Sequence, residues 1–562
     1  MQPLLQIENL AIDFIAENQK TQAVKNISLT INSGEIVALV GESGSGKSVT
    51  ALSILQLLPT PPAFYSGGKI IFSEENKTVD LLKLSSKKLQ EVRGNKISMI
   101  FQEPMSSLNP VMKCGLQVME ALLQHKNISS AEAKKQTITW LEKVKLPQPE
   151  KIFNSYPHQL SGGQKQRVMI AMAMCCQPAL LICDEPTTAL DVTVQKSILQ
   201  LIKELVQQEN TGVLFITHDL GVVYQFADKT AIMYRGEIIE QNTVAEIFHH
   251  PQQTYTKALL ACRPAQYSKG EKLPVVSDYL APASTDEIKT PGKNISDTKP
   301  GSLLAQVKNL TVTFPTKKNI LGTVLGYYKA VDDVSFEIYK GETLGLVGES
   351  GCGKTTLGRA ILKLIEPSAG SILYNNVDIT RYGKKQLKDF RKEVQLVFQD
   401  PFSSLNPRLS IGEAIEEPIK ILMKSSKPER KKTARELLEK VNLSPAMANR
   451  YPHEFSGGQR QRIVIARALA VNPGLLVCDE SVSALDVSIQ AQVLNLLNDL
   501  KREFGLTMLF ISHDLSVVRY MCDRIMVMQK GKIVESGNAD EIYEHPKSEY
   551  TKELLEAIPK AV

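Results

Sequence analysis

Short, unbroken apolar runs recur along the chain, each ending at glycine-rich or polar residues. EIVALV (residues 35–40) and ETLGLV (342–347) lead into a glycine loop and then an apolar-periodic helix. LLIC (180–183) and LLVC (475–478) precede two acids, while VLFIT (213–217) and MLFIS (508–512) precede His-Asp. Runs this short, bounded by turn residues, read as strands buried on both faces. Between them lie longer stretches of mixed charge, SSAEAKKQTITWLEKV (129–144) and KPERKKTARELLEKV (427–441), with helical periodicity. Strands alternating with helices predict an α/β fold: a mainly parallel sheet with an inserted helical lobe.

No apolar run reaches the roughly 18 residues that span a bilayer. The longest, residues 168–183, is interrupted by Gln177 and Pro178 and predicts a buried helix followed by a buried strand. The start, MQPLLQIENLAIDF, lacks the basic cap and apolar core of a signal peptide. The eight cysteines are scattered without a CxxC pair. Buried free thiols in a reducing, cytoplasmic setting are therefore expected.

The pattern is written twice. SGGQKQR at 161–167 returns as SGGQRQR at 456–462, Asp184-Glu185 as Asp479-Glu480, and His218 as His513, each pair 295 residues apart. A period this long means duplicated domains, and 562 residues suit two of about 250. The predicted domains are 1–262 and 304–562. Residues 263–303, rich in Pro, Ser, Thr, Asp and Lys, are expected to be a flexible linker that lets the halves pair face to face. The net charge of +6 is small for this length and reads as a mildly basic solvated surface, so no nucleic-acid partner is expected.

Two loops fit the phosphate-binding spacing G-x-x-x-x-G-K-[ST]. The first is Gly41, Glu42, Ser43, Gly44, Ser45, Gly46, Lys47 and Ser48; the second is Gly348, Glu349, Ser350, Gly351, Cys352, Gly353, Lys354 and Thr355. Glycines let backbone N–H groups turn inward to phosphate oxygens, and the following helix adds the positive end of its dipole. Lys47 and Lys354 would neutralise the β- and γ-phosphates of ATP, while Ser48 and Thr355 would ligate Mg²⁺. Asp184 and Asp479, at strand carboxyl ends, are expected to hold Mg²⁺ through water. Glu185 and Glu480 are expected to polarise the attacking water. His218 and His513 could donate to the γ-phosphate, and Gln102 and Gln399 could touch both Mg²⁺ and the nucleophilic water.

Ser161, Gly162, Gly163 and Gln164, and again Ser456, Gly457, Gly458 and Gln459, open helices and form a second anion-seeking terminus in each half. One nucleotide cannot easily use both surfaces of one domain. A head-to-tail pair solves this, with each ATP between one domain's glycine loop and the other's SGGQ.

Phosphate loop, SGGQ, acid pair and switch histidine, in that order, resemble the ATP-binding-cassette (ABC) ATPase family. The fold so implied is a P-loop NTPase with a RecA-like core and helical subdomain, in tandem. FQEPMSSLNP (101–110), FQDPFSSLNP (398–407), HPQQTYTKALL (250–260) and HPKSEYTKELL (545–555) are similar to the dipeptide/oligopeptide/nickel importer ATPases. The resemblance implies ATP hydrolysis on the inner face of the cell membrane. Two integral-membrane permease subunits and an extracytoplasmic substrate-binding protein are the implied partners, with no span in this chain. It gives Gln102 and Gln399 a relay to the permease, gives Asp191 and Asp486 coupling between the two sites, and asks for an adenine-stacking aromatic, for which Phe14 and Tyr328 are the candidates. Ser481 in place of proline and Phe455 in place of leucine remove no catalytic group, so both sites are expected to be competent.

Three rivals weigh less, among them a DNA-repair ATPase, which would need long coiled-coil heptads that the intervals 47–161 and 354–456 are too short to hold. A ribosome-remodelling tandem cassette would need a basic helical linker, and this one is Pro-rich with nearly balanced charge. An exporter energiser differs only in its permease, and the SSLNP and HP…YT…LL segments favour import.

Overall fold

Val213 and Phe215 face one core while Leu214 and Ile216, between and beyond them, face another. Leu181 and Cys183 divide from Leu180 and Ile182 in the same way. Side chains alternate across a strand, so a sheet covered on both faces demands apolar residues at every position, and this is why the runs are unbroken. The computed structural model describes residues 3–16, 19–74, 77–103, 107–187, 190–280, 301–318, 324–483 and 485–558. The chain divides into two units, one running to Leu260 and the other spanning Ala261–Ile558.

In the first unit, ten strands form two sheets: β1 (Leu5–Ala16), β2 (Gln19–Ile31), β3 (Ile36–Val40), β4 (Ala63–Glu74), β5 (Lys77–Asp80), β6 (Ile97–Ile100), β7 (Leu180–Asp184), β8 (Gly212–Thr217), β9 (Lys229–Tyr234) and β10 (Glu237–Thr243). The larger sheet has order β10-β9-β3-β8-β7-β6 and is parallel except for β9 with β10. Helix α1 (Lys47–Ile54) follows β3, and α2 (Gly162–Met174) precedes β7. Helix α3 (Val192–Glu209) leads to β8, α4 (Leu220–Phe226) follows it, and α5 (Thr254–Ala261) closes the unit. The expected helical lobe is present as Cys114–His125, Ser130–Lys143 and Pro149–Asn154, packed with α2 through Val118, Leu122, Trp140 and Leu141.

The second sheet, antiparallel β2-β1-β4-β5, was not among the expected elements. Its pattern is blurred where Asn9 turns left-handed at φ 47° and the β1–β2 register shifts between Ile7 and Leu10. A bulge of this kind puts one face's apolar residues out of step. Leu5, Ile12 and Ile31 from this sheet meet Val37, Leu39 and Ile54 in one core.

The second unit repeats the plan with β11 (Leu303–Lys318), β12 (Val324–Tyr339), β13 (Thr343–Val347), β14 (Ala369–Tyr374), β15 (Val377–Asp378), β16 (Val394–Val397), β17 (Leu475–Asp479), β18 (Thr507–Ser512), β19 (Arg524–Gln529) and β20 (Lys532–Asn538). The sheets run β16-β17-β18-β13-β19-β20 and β12-β11-β14-β15.

This unit also opens differently from the expected flexible linker. Residues 263–280 are ordered: a 3-10 turn at Pro264–Gln266 and helix α6 (Val276–Leu280), with Pro264, Leu273 and Val276 buried. The apolar side chains among the polar ones are what fasten it; the rest of that call, 281–300, lies outside the described residues. The later helices are α7 (Lys354–Ile361), α8 (Gly457–Leu469), α9 (Val487–Phe504), α10 (Leu515–Met521) and α11 (Glu549–Ala557). All eight cysteines are buried and none forms a disulfide bond, and among the described residues no helix is long and apolar enough to cross a membrane.

Candidate active sites

Strand β3 ends at Val40 and the chain turns tightly into α1. Gly46 sits at φ 106°, and a Cβ there would lie 2.7 Å from the Ala23 carbonyl oxygen, so only glycine fits. Gly44 has open space around it. The buried Lys47 ammonium donates to the Gly41 and Glu42 carbonyls at 2.7 and 2.9 Å. Lys354 does the same to Gly348 and Glu349, also at 2.7 and 2.9 Å. The loop thus curls around a cation whose position a phosphate would share. Ser43, Ser45, Ser350, Gly351, Cys352 and Gly353 complete the two loops.

The acid pairs sit at the carboxyl ends of β7 and β17. Ser48 Oγ donates to Asp184 Oδ1 at 3.0 Å, and Thr355 Oγ1 to Asp479 Oδ1 at 3.0 Å. Burial, with the adjacent Glu185 charge adding to it, raises the Asp184 carboxyl above its ordinary value against the Ser48 bond and Lys47. Asp479 is raised for the same leading cause, with Glu480 adding to it. A buried hydroxyl–carboxylate oxygen pair at a strand end fits a hard divalent cation.

Glu185 and Glu480 each stand in the left-handed region, at φ 47° and 48°, which turns the side chain out of the strand direction. Gln102 Nε2 donates to Glu185 Oε2 at 3.2 Å, and His218 Nδ1 lies 3.2 Å from Glu185 Oε1. In the second unit Gln399 Nε2 donates to Glu480 Oε2 at 2.7 Å. His513 Nδ1 and Lys354 Nζ lie 3.6 and 3.9 Å from Glu480 Oε1. Burial works to raise Glu480, but the His513 bond and charge, Lys354 and Gln399 outweigh it and hold the carboxyl below its ordinary value. Burial likewise opposes the His513 charge, and Glu480 overcomes it, so His513 is held above its ordinary value. Glutamate, histidine and glutamine thus converge in both units.

The SGGQ residues stand on a different element. Ser161 Oγ accepts from the Gln164 N–H at 3.3 Å while Gln164 Oε1 accepts from the Ser161 N–H at 3.0 Å, a capping box that opens α2. Ser456 and Gln459 repeat it on α8 at 3.4 and 3.1 Å. The two glycines differ. A Cβ on Gly163 would meet Val194 Cγ1 at 2.8 Å and one on Gly458 would meet Ile489 Cγ2 at 2.3 Å, whereas nothing comes closer than 3.7 Å to Gly162 and nothing within 4 Å of Gly457. The second glycine packs the helix; the first leaves room for a ligand. Asp191 and Asp486 are the N-cap residues of α3 and α9.

The adenine candidates are not equivalent positions. Phe14 lies on β1 opposite Thr21, whereas Tyr328 lies on β12 opposite Phe314. The Ala23 and Ala330 carbonyls abut Gly46 and Gly353, so Thr21 corresponds to Tyr328 and Phe14 to Phe314. Sequence reading also missed two tyrosines. Tyr255 on α5 and Tyr550 on α11 accept from the Glu42 and Glu349 N–H groups of the phosphate loops at 3.3 and 3.1 Å. They too stand 295 residues apart, the period of the catalytic residues.

The chain matches the ABC transporter family at residues 24–188 and 331–483. The oligopeptide/dipeptide transporter C-terminal region matches at 239–291 and 534–562, the stretches that carry Tyr255 and Tyr550. The glutathione import ATP-binding protein GsiA of Escherichia coli O6:H1 strain CFT073 is 47% identical over 566 residues, covering 99% of this chain and 90% of the relative. The GsiA proteins of Shigella boydii serotype 4 strain Sb227 and Escherichia coli strain K12 have the same identity and coverage. With both cassettes matched and each carrying a full set of phosphate-loop, acid, glutamine and histidine residues, the chain belongs to the ABC transporter family as an ATP-hydrolysing, ATP-binding protein with two cassettes in one polypeptide.

Proposed function

We propose that this chain energises uptake of glutathione-like or short peptide solutes, hydrolysing ATP at two sites. The observation that carries this reading is the repeated convergence of Glu185, His218 and Gln102, and of Glu480, His513 and Gln399, beside a phosphate loop. The import direction and solute class draw support from the names of the relatives and from the paired C-terminal regions.

The loops 41–48 and 348–355 bind the ATP phosphates, with Lys47 and Lys354 moving their ammonium groups from loop carbonyls to phosphate oxygens. Ser48 with Asp184, and Thr355 with Asp479, would hold Mg²⁺ within reach of Gln102 and Gln399, and the ion would neutralise charge at the phosphates. Glu185 and Glu480 accept the proton of a water whose oxygen bonds to the γ-phosphorus as the bond to the β–γ bridging oxygen breaks. His218 and His513 exchange their glutamate partner for the γ-phosphate and hold it in line. Ser161 to Gln164 and Ser456 to Gln459 supply the opposite wall in a head-to-tail pairing, so γ-phosphate contacts close the pair and hydrolysis releases it. The motion passes to two integral-membrane permease subunits on the cytoplasmic face, and an extracytoplasmic binding protein delivers the solute.

Affinity purification of the tagged chain from detergent-solubilised cells tests the assignment. Two different polytopic membrane proteins in near-equal amounts are expected. Ribosomal proteins without a permease would overturn the transport reading and leave the ATPase chemistry standing.

A further inference from the structure

Residues 263–280 follow the first cassette in the chain, yet they pack within the second unit, across the two helices that lead away from its catalytic residues. The Asn495 side chain on α9 clasps the backbone of Leu273 from both sides. Its Oδ1 accepts from the Leu273 N–H at 2.9 Å and its Nδ2 donates to the Leu273 carbonyl at 2.7 Å, both buried. Tyr520 on α10 donates its hydroxyl to the Glu271 carbonyl at 2.6 Å, and Arg502 donates to Gly270 O at 3.2 Å. Lys269 pairs with Asp523, whose other oxygen accepts from the Thr343 N–H at 2.7 Å, where the strand leading to the phosphate loop begins.

Among the described residues these contacts occur in the second unit. At the 295-residue offset the first unit has Gln200 for Asn495, Gln225 for Tyr520 and Gln207 for Arg502. Gln200 donates its amide to Glu204, four residues along its own helix. Asp228 keeps the strand contact, accepting from the Ile36 N–H at 2.8 Å as Asp523 does from Thr343. The clasp is therefore an addition to one copy of a duplicated fold.

We propose that residues 263–280 are a strap that positions the second catalytic site. Helix α9 begins directly after Asp486, and α10 begins two residues after His513. One side chain on each is tied to the same strap, Asn495 to Leu273 and Tyr520 to Glu271, so the strap fixes the spacing of the helix starts that present Asp486 and His513. A clasp of two buried hydrogen bonds on one backbone residue suits this task, because removing either partner leaves buried polar groups unsatisfied. The proposal rests on the reading that His513 acts in hydrolysis. It assigns Asn495 and Tyr520 as positioning residues, since neither belongs to the nucleotide-binding machinery.

The test is hydrogen–deuterium exchange together with ATPase kinetics on the full-length chain. Asn495→Ala is expected to speed amide exchange at 271–280 about tenfold, the scale of losing a buried hydrogen bond. Exchange at 513–521 is expected to rise with it, and kcat to fall roughly fivefold while KM for ATP stays within about twofold. Tyr520→Phe, which deletes one hydroxyl, is expected to act in the same direction by less. Gln200→Ala, at the matching place in the first unit, should leave kcat unchanged. Unaltered exchange at 271–280 in both second-unit variants would show that the strap is not fastened there. Faster exchange with unchanged kcat would show that it only packs, and would overturn the positioning role. Failure of the unsubstituted chain to hydrolyse ATP would instead overturn the function proposed above, and the exchange data would still report on the strap.

Discussion

The hydroxyl of Tyr550 accepts a hydrogen bond from the backbone N–H of Glu349 at 3.1 Å, fastening the C-terminal helix α11 to the second phosphate loop. Tyr255 and Glu42 repeat the relationship in the first unit at 3.3 Å. Both tyrosines are buried. Tyr550→Phe is expected to weaken ATP binding about three- to tenfold, the scale of one net hydrogen bond. Fluorescent-nucleotide titration checks this, and an unchanged Kd would count against a bracing role for the tyrosine.

The two glycines of the second SGGQ are predicted to fail in different ways. Gly458→Ala drives a methyl to 2.3 Å from Ile489 Cγ2 and should destabilise the second cassette by about 1–3 kcal/mol, the usual cost of overpacking. Gly457→Ala meets nothing within 4 Å and should leave stability nearly unchanged while lowering ATP turnover. Thermal unfolding and steady-state hydrolysis on the two variants separate packing from ligand contact. Equal loss of stability in both would contradict the assignment of the first glycine to the ligand.

The Glu480–His513 pair sets a pH window. His513 is raised above its ordinary 6.5, so its contribution is fully present below 6.5 and is lost as pH rises through the raised value. Glu480 is lowered from its ordinary 4.5, so its contribution is present above 4.5 and is lost as pH falls through the lowered value. The stability difference between the nucleotide-free chain and its His513→Gln variant should therefore be largest between pH 4.5 and 6.5. Above that range it should shrink. Denaturant unfolding across pH measures it, and a difference that grows with rising pH would contradict the pairing.

The candidate catalytic residues could be picked out in the sequence because each is a polar side chain within two residues of the end of a buried strand. Strand burial on both faces and ligand placement at strand ends then fix where Glu185, His218 and Gln102 must lie. Other parts were hidden for physical reasons. The antiparallel sheet escaped because left-handed Asn9 and Asn309 break the alternation of β1 and β11. The strap escaped because Asn495 and Tyr520 contact the backbone of Leu273 and Glu271, and backbone recognition leaves no side-chain signature to read. Phe14 and Tyr328 looked interchangeable only because the insertion before Tyr328 hid their different strands. Tyr255 and Tyr550 were visible as a repeated letter, but their reach back to the phosphate loops is a tertiary fact.

Glu185 and Glu480 are both proposed to serve as the base for ATP hydrolysis. ATP turnover by the Glu185→Gln, Glu480→Gln double variant, measured beside nucleotide binding, tests it most directly. ATP binding is expected to stay close to that of the unsubstituted chain, with turnover reduced by a factor of about 10²–10⁴, the range of general-base catalysis. Turnover within about threefold of the unsubstituted chain, well short of that range, would contradict it.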